Sequence, residues 1–276
     1  MNARTRRRWG RWLQGAAVAL ICLFLIAPAL VVIPLSFAGD VMTRFPPQHF
    51  TLEAYDNFLH GPGWLGATIF SLKMAATVMV IAVVIGTGAA YGIVAREGVV
   101  KKLLMVLTVL PIVVPPIIYA IAIYPLLAAL DILGTFTGLV VANVVLAAPY
   151  AIITIRAGME RLDGSLLRAA AVLGARPLRV ALKVAAPLLM PSLTTAALFA
   201  FLASFDEVVV AQFISGPFAV PLAKRMWDGI LYRWDPAISA ISTIQITLTV
   251  GTLLAFALLR RGADAGAAGG AETRET

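Results

Sequence analysis

Charge is what this sequence has least of. Only 13% of its 276 residues are Asp, Glu, Lys or Arg, about half the share of a soluble domain. Against that scarcity, 61% are hydrophobic and the mean hydropathy is +0.92. A water-soluble globule of this length cannot hide so much apolar surface, so a bilayer is the solvent for most of the chain. Cysteine is nearly missing: Cys22 stands alone in an apolar run, which excludes an internal disulfide. The two histidines, His49 and His60, share one loop-like stretch without further ligand residues and read as loop histidines, not as a metal site. No Gly-x4-Gly-Lys-Ser/Thr phosphate loop occurs, so the chain does not bind ATP by that device. His-Glu-x-x-His, paired-cysteine and Gly-x-Ser-x-Gly patterns are missing too, and nothing marks the chain as a catalyst.

What is there is a succession of apolar runs. A basic lead, residues 1–12, is followed at once by a run over about 13–37. A cleaved leader has an apolar core of about 7–15 residues, and this run is longer, so it is expected to be an uncleaved first span, bent at Pro28 and Pro34. Further spans are expected at about 67–95, 103–130, 136–155, 188–214 and 236–259, with a flexible tail at 260–276. The second carries Gly86, Gly88, Ala89, Ala90 and Gly92, suited to close helix packing. The third carries Pro111, Pro115, Pro116 and Pro125, which predicts a kinked or broken helix and a wall for a pathway. The segment 221–234 places Leu222, Met226, Trp227 and Ile230 on one side, as an interfacial amphipathic helix does. No internal repeat is visible.

Orientation follows from the basic residues. All 22 Lys and Arg except Arg44, Lys73, Lys224, Arg225 and Arg233 lie in the lead, the 96–102 turn, the 156–187 stretch or the tail. Positive charge stays in the cytoplasm, so both termini and the 156–187 stretch face inward, which agrees with six spans. The net charge of +8 is therefore a matter of topology, and nucleic acid is not an expected partner.

The polar stretch 156–187 interrupts the greasy sequence between spans four and five. Leu162, Leu166, Leu167, Ala170 and Leu173 recur at helical spacing, with Arg161 and Arg168 off the stripe. Gly174 stands where a helix ends in a left-handed residue, Pro177 opens the next run, and Pro187 and Pro191 bracket the return to hydrocarbon.

This stretch resembles the EAA loop of permease subunits of binding-protein-dependent ABC importers. That pattern is Glu-Ala-Ala, three residues, Gly, nine residues, Ile, one residue, Leu-Pro. Here Arg168, Ala169, Ala170, Gly174, Val184, Ala186 and Pro187 stand at its positions. Ala169, Ala170, Gly174 and Pro187 agree in identity; Arg168 for the glutamate and Ala186 for the leucine are departures, and the first removes any ion pair the glutamate makes with an ATPase. A finer likeness to spermidine/putrescine-type permeases covers Ser204 to Val209, Phe213 to Pro217, Pro221-Leu222 and Trp234 to Thr243. The resemblance implies an all-α membrane protein with six transmembrane helices, the type I (MetI-like) permease fold of ABC importers, N and C termini cytoplasmic, in a bacterial inner membrane. It implies as partners an ATPase dimer that binds ATP and Mg in separate subunits, a second homologous permease (a heterodimer) and a periplasmic solute-binding protein. This chain itself is expected to hold no cofactor and no metal.

Within that reading Arg168, Ala169, Ala170, Gly174 and Pro187 are the ATPase-coupling residues, and polyamine is the commonest solute class. Asp206 and Glu207 are carboxylates in the apolar run of span five, where charge is costly enough to imply function. Two readings stand for them: a water-filled path for a cationic solute, with Tyr119, Tyr124 and Phe205 as cation–π faces, or a structural place near the outer interface. Asn143, Gln212 and Gln245 are expected to bond between helices, and Lys73 to reach the outer interface. An ion-coupled secondary transporter, the alternative, calls for more buried charges and for repeats.

Overall fold

The computed structural model describes residues 3–38, 45–47, 49–232, 235 and 237–251. Hydrocarbon offers no partners for backbone N–H and C=O groups, so apolar runs must satisfy them internally, which helices do. The described residues are accordingly helical, with only isolated β-bridges at Ala38–Phe50 and Gly216–Ala219. Hydroxyls inside the helices follow the same rule. Thr68, Thr77, Thr87, Thr108 and Thr154 each donate to the carbonyl four residues back, at 2.7–2.9 Å.

The chain forms two compact units, Met1–Pro62 with Gly229–Thr276, and Gly63–Asp228. The first contains α1 (Ala3–Leu35) and α2 (Glu53–His60). A helix over Ala237–Gly251, α12 below, lies in the same unit. Ser36 ends α1: its hydroxyl reaches the Ile33 carbonyl at 2.6 Å and the Tyr55 hydroxyl at 2.7 Å. Ala237, Ala240 and Ile241 of α12 are buried.

The second unit contains α3 (Trp64–Val94), α4 (Gly98–Val113), α5 (Pro116–Ala129), α6 (Phe136–Met159), α7 (Gly164–Val172), α8 (Pro177–Val180), a π-helical turn (Ala181–Ala185), α9 (Ala186–Phe205) and α10 (Val209–Ile214). α11 (Leu222–Tyr232) begins in it. α3, α6 and α9 pack on one another through small and medium residues at helical spacing: Met74, Val78, Ala82 and Ala90; Leu139, Ala147, Ala151 and Ile155; Ala196 and Ala200. A Cβ on Gly86 would lie 2.9 Å from the Ala151 methyl, and one on Gly158 would collide with the Ser192 hydroxyl. At these two glycines the packed helices leave no room for a side chain. Gly88 and Gly92 meet nothing.

The proline-rich third stretch is broken rather than kinked: α4 and α5 meet at 99°. The residue before a proline is driven out of the α region. Val114 precedes Pro115 and Pro115 precedes Pro116, and both are extended (ψ 125° and 132°). Pro116 then opens α5, where its missing N–H costs nothing.

Contacts within this unit show that the broken pair still runs from one end of the bundle to the other. At one end Lys101 of α4 meets Glu160, just after α6, at 3.0 Å. At the other, Gly134 between α5 and α6 donates to the Ile214 carbonyl at 3.0 Å. The pair thus runs alongside the full length of α6, as one interrupted span and not as a loop returning to its own side. Among the described residues, four helices are long and apolar enough to cross a bilayer, and the broken pair makes a fifth. α12 occupies the start of the sixth expected stretch, whose residues 252–259 lie outside the described residues, as does the tail.

Candidate coupling helix and solute path

α7 is built locally. Asp163 Oδ1 accepts from the Ser165 N–H at 2.8 Å and starts the helix. Its end is a left-handed cap: Gly174 has φ +80°, Ala175 N–H reaches the Ala170 carbonyl at 3.2 Å, and Leu173 N–H reaches Ala169 at 3.1 Å. Nothing crowds Gly174, so the backbone angle alone requires glycine there. α7 rests on α8 and the π-helical turn and is otherwise outward-facing. Ala169 is exposed, Ala170 half-buried, and Val172 and Leu173 are each 87% exposed. Of the apolar stripe read from the sequence, Leu166 and Leu173 are exposed and Leu162 and Ala170 half-buried. Arg168 lies in the helix; its side chain is outside the described residues.

Helical structure is continuous from Pro177 to Phe205, through α8, the π-helical turn and α9, so it begins before the apolar run expected at 188. The π-helical turn has a direct cause. Pro187 has no N–H for the Lys183 carbonyl and its ring would strike that carbonyl, so the preceding turn widens, and Ala186 N–H bonds Ala181, five residues back.

Asp206 and Glu207 correct the sequence expectation. They do not lie inside a helix: α9 stops at Phe205, residues 206–208 are irregular, and α10 starts at Val209. Glu207 Oε1 accepts from the Val210 N–H at 2.9 Å and so satisfies one of the donors that the break sets free. Asp206 is exposed and caps the end of α9, while Phe205 is buried and stacks on Phe201 at 5.6 Å. The tyrosines do not share a face with one another. Tyr119 is half-buried and its hydroxyl donates to the Ala142 carbonyl of α6 at 2.8 Å; Tyr124 is exposed on α5.

Among the other polar residues, Asn143 departs from the expected bond between helices and Gln212 meets it. Asn143 is buried and its Nδ2 bonds its own helix at Leu139 (2.8 Å), leaving Oδ1 without a partner; the buried Ser204 hydroxyl is in the same position. Gln212 bonds Asp228 at 3.3 Å, and Asp228 also holds Lys224 at 2.6 Å. Lys73 is exposed. Of the apolar side of α11 only Leu222 is buried; Trp227 and Ile230 are about half exposed. No sequence pattern announces that Arg225 covers the Trp64 ring, at 4.9 Å, or that Leu222 N–H bonds Ser71 at 2.7 Å. At the opposite end, the hydrogen bond from Lys101, with the charges of Arg156 and Lys101, holds the Glu160 carboxyl below the ordinary carboxylate range.

With this geometry in hand, the chain can be set against known proteins. The family model described as the binding-protein-dependent transport system inner membrane component matches residues 82–263. The chain is 27% identical over 254 residues to the spermidine/putrescine transport system permease protein PotC of Escherichia coli (strain K12), covering 91% of this chain and 95% of that one. It is 29% identical over 230 residues to the putrescine transport system permease protein PotI of the same strain, covering 80% and 81%. Among solved structures, a bacterial ABC transporter that imports the acidic polysaccharide alginate aligns with TM-score 0.74 over 95% of this chain and 98% of that one. At 16% identity that match speaks to fold alone.

Proposed function

The chain belongs to the family of binding-protein-dependent transport system inner membrane components. It is a multi-pass inner-membrane permease of an ABC importer, and from that premise we propose that its solute is a polyamine and that α7 is the lever on which partner ATPases act. The observation that carries the lever is the helix itself: nine residues, small at Ala169 and Ala170, ended sharply at Gly174 and exposed, among the described residues, at Leu166, Ala169 and Val172. Small side chains let a helix seat deeply in a cleft of a soluble partner. The left-handed glycine turns the chain directly into α8 and α9, so a displacement of α7 passes into a span.

In this reading the ATPases close on ATP, move α7, and rock the spans so that the path opens toward the binding protein; hydrolysis resets it. Arg168, at the position of the family's glutamate, would meet a different charge on its ATPase. For the solute, the support is the pair Asp206–Glu207 at an interrupted helix, where irregular backbone is tolerated beside a cavity, together with the names of the two relatives. A cationic chain passing there would find two carboxylates and aromatic neighbours.

Glu207→Gln tests the charge alone, since the amide oxygen still accepts from Val210. Labelled spermidine uptake in proteoliposomes is expected to fall about tenfold, the size of one lost charge interaction. Unlabelled putrescine should compete and neutral analogues should not. Equal competition by a neutral analogue defeats the polyamine reading. Deleting residues 164–172 should abolish solute-stimulated ATP turnover while the permease stays in the membrane, and undiminished turnover defeats the lever.

A further inference from the structure

Glu160 stands in a place where a carboxylate is unfavourable. It caps the C-terminus of α6, the negative end of that helix's dipole, where cations are preferred. Its own helix supplies one cation: Arg156 Nη1 reaches both carboxylate oxygens, at 3.0 and 3.2 Å. The second comes from 59 residues away, Lys101 Nζ at 3.0 Å, from the second turn of α4. Arg156 touches α4 as well, through the Met105 sulfur at 3.9 Å. Lys101 is 32% exposed, Arg156 20% and Glu160 36%, so water screens the contact in part.

α4 needs such a fastening. It has no buried residue, and beyond its extended joint at Val114–Pro115 it adjoins α6 and, less extensively, α3. Glu160, by contrast, belongs to a stiff body. Gly158 is wedged on Ser192 and Leu189 of α9. From Glu160 to the start of α7 the chain is a run of tight turns, with Arg161 N–H on Gly158, Leu162 N–H on Met159 and Leu166 N–H on Asp163, all at 3.1–3.2 Å.

We propose that Lys101, Glu160 and Arg156 form a clasp that fastens the lower arm of the broken span to the root of the coupling loop. It makes α4 follow α7 when the ATPases move it. Lys101 and Glu160 are then positioning residues for transport, and Arg156 orients the carboxylate along α6. The proposal rests on α7 being the ATPase lever. Its own content is that the motion reaches the interrupted span through this ion pair, and that α4 pivots at Val114–Pro115.

The test uses the whole complex in proteoliposomes, with ATPase, second permease and binding protein, and spermidine as the probe. The readout is spermidine delivered per ATP hydrolysed, a ratio that does not depend on how much protein has folded. Lys101→Met and Glu160→Gln are each expected to lower that ratio about fivefold, and the double variant no further, because both remove one tie. Arg156→Met, which leaves the Lys101–Glu160 contact, should change it less than about twofold, and Lys101→Arg should keep it. An unchanged ratio in Lys101→Met, or strictly additive losses, overturns the clasp alone. Undiminished solute-stimulated ATP turnover after deletion of residues 164–172 overturns the underlying lever reading, and the clasp with it.

Discussion

α6 and α4 lie side by side, yet almost everything about how they are held differs. α6 buries ten residues against α3, α9 and their neighbours, and glycine is required where Gly86 of α3 meets its Ala151 and where its own Gly158 meets Ser192 of α9. α4 buries none and is fastened by charged and sulfur contacts at one end and by a double-proline joint at the other. α7 is likewise exposed at Leu166, Ala169 and Val172. The contrast separates a frame, in which any added volume is felt, from arms whose geometry depends on backbone angles and a few polar ties. Parts that must move in a transport cycle belong to the second class.

Three experiments probe that division. The largest effect is expected in the frame: Gly158→Val forces a branched side chain into Ser192 and Leu189, and overpacking costs about 1–3 kcal/mol or more. Thermal melting in detergent should show a lowered Tm, with uptake and ATP turnover falling together. Loss of one without the other would mean that α6 and α9 are not a rigid pair. A smaller cost, about 1–2 kcal/mol, follows from Gly174→Val, because a β-branched residue resists φ near +80°. Nothing crowds Gly174, so Tm should fall less than in Gly158→Val, while solute-stimulated ATP turnover drops severalfold. A Tm loss as large as that of Gly158→Val would erase the distinction between frame and arm.

The smallest effect concerns acid. The folded Glu160 carboxyl titrates below its ordinary value because of Lys101 and Arg156. Its stabilising contribution is therefore whole above the unfolded value of about 4.3 and disappears as pH falls through the lower folded value. Melting curves taken across that acid window should show a small extra decline in the wild type that Glu160→Gln lacks. An identical decline in both would show that the contact contributes nothing to folding.

Much of this was legible in the sequence because its causes are local. Apolar runs of bilayer length mark spans, Gly174 marks a left-handed cap, and Pro115–Pro116 mark a break. Only the sharpness of that break, 99°, awaited the structure. The helix interruption at 206–208 was less visible, since no glycine or proline stands there. Two adjacent carboxylates in an apolar run were the available sign, because a continuous helix in hydrocarbon gives them no partner, whereas a break lets Glu207 cap a new helix. Tyr119 was read as a face for a cation, but its hydroxyl answers to a carbonyl 23 residues away. The Arg225–Trp64 and Lys101–Glu160 contacts join residues far apart in sequence, and no local pattern encodes such meetings.

The Tyr119 hydrogen bond has a mechanical corollary. Together with the Gly134–Ile214 contact it bolts α5 to α6 and α10, so the elbow at Val114–Pro115 has one limb tied beside it and one limb held at its far end by the Lys101–Glu160 pair. The second limb is 16 residues long, about 24 Å at helical rise, so a turn of roughly 10° at the elbow sweeps its tip through about 4 Å. Driven through the proposed clasp, that swing exceeds the width of a water molecule while α5 stays still.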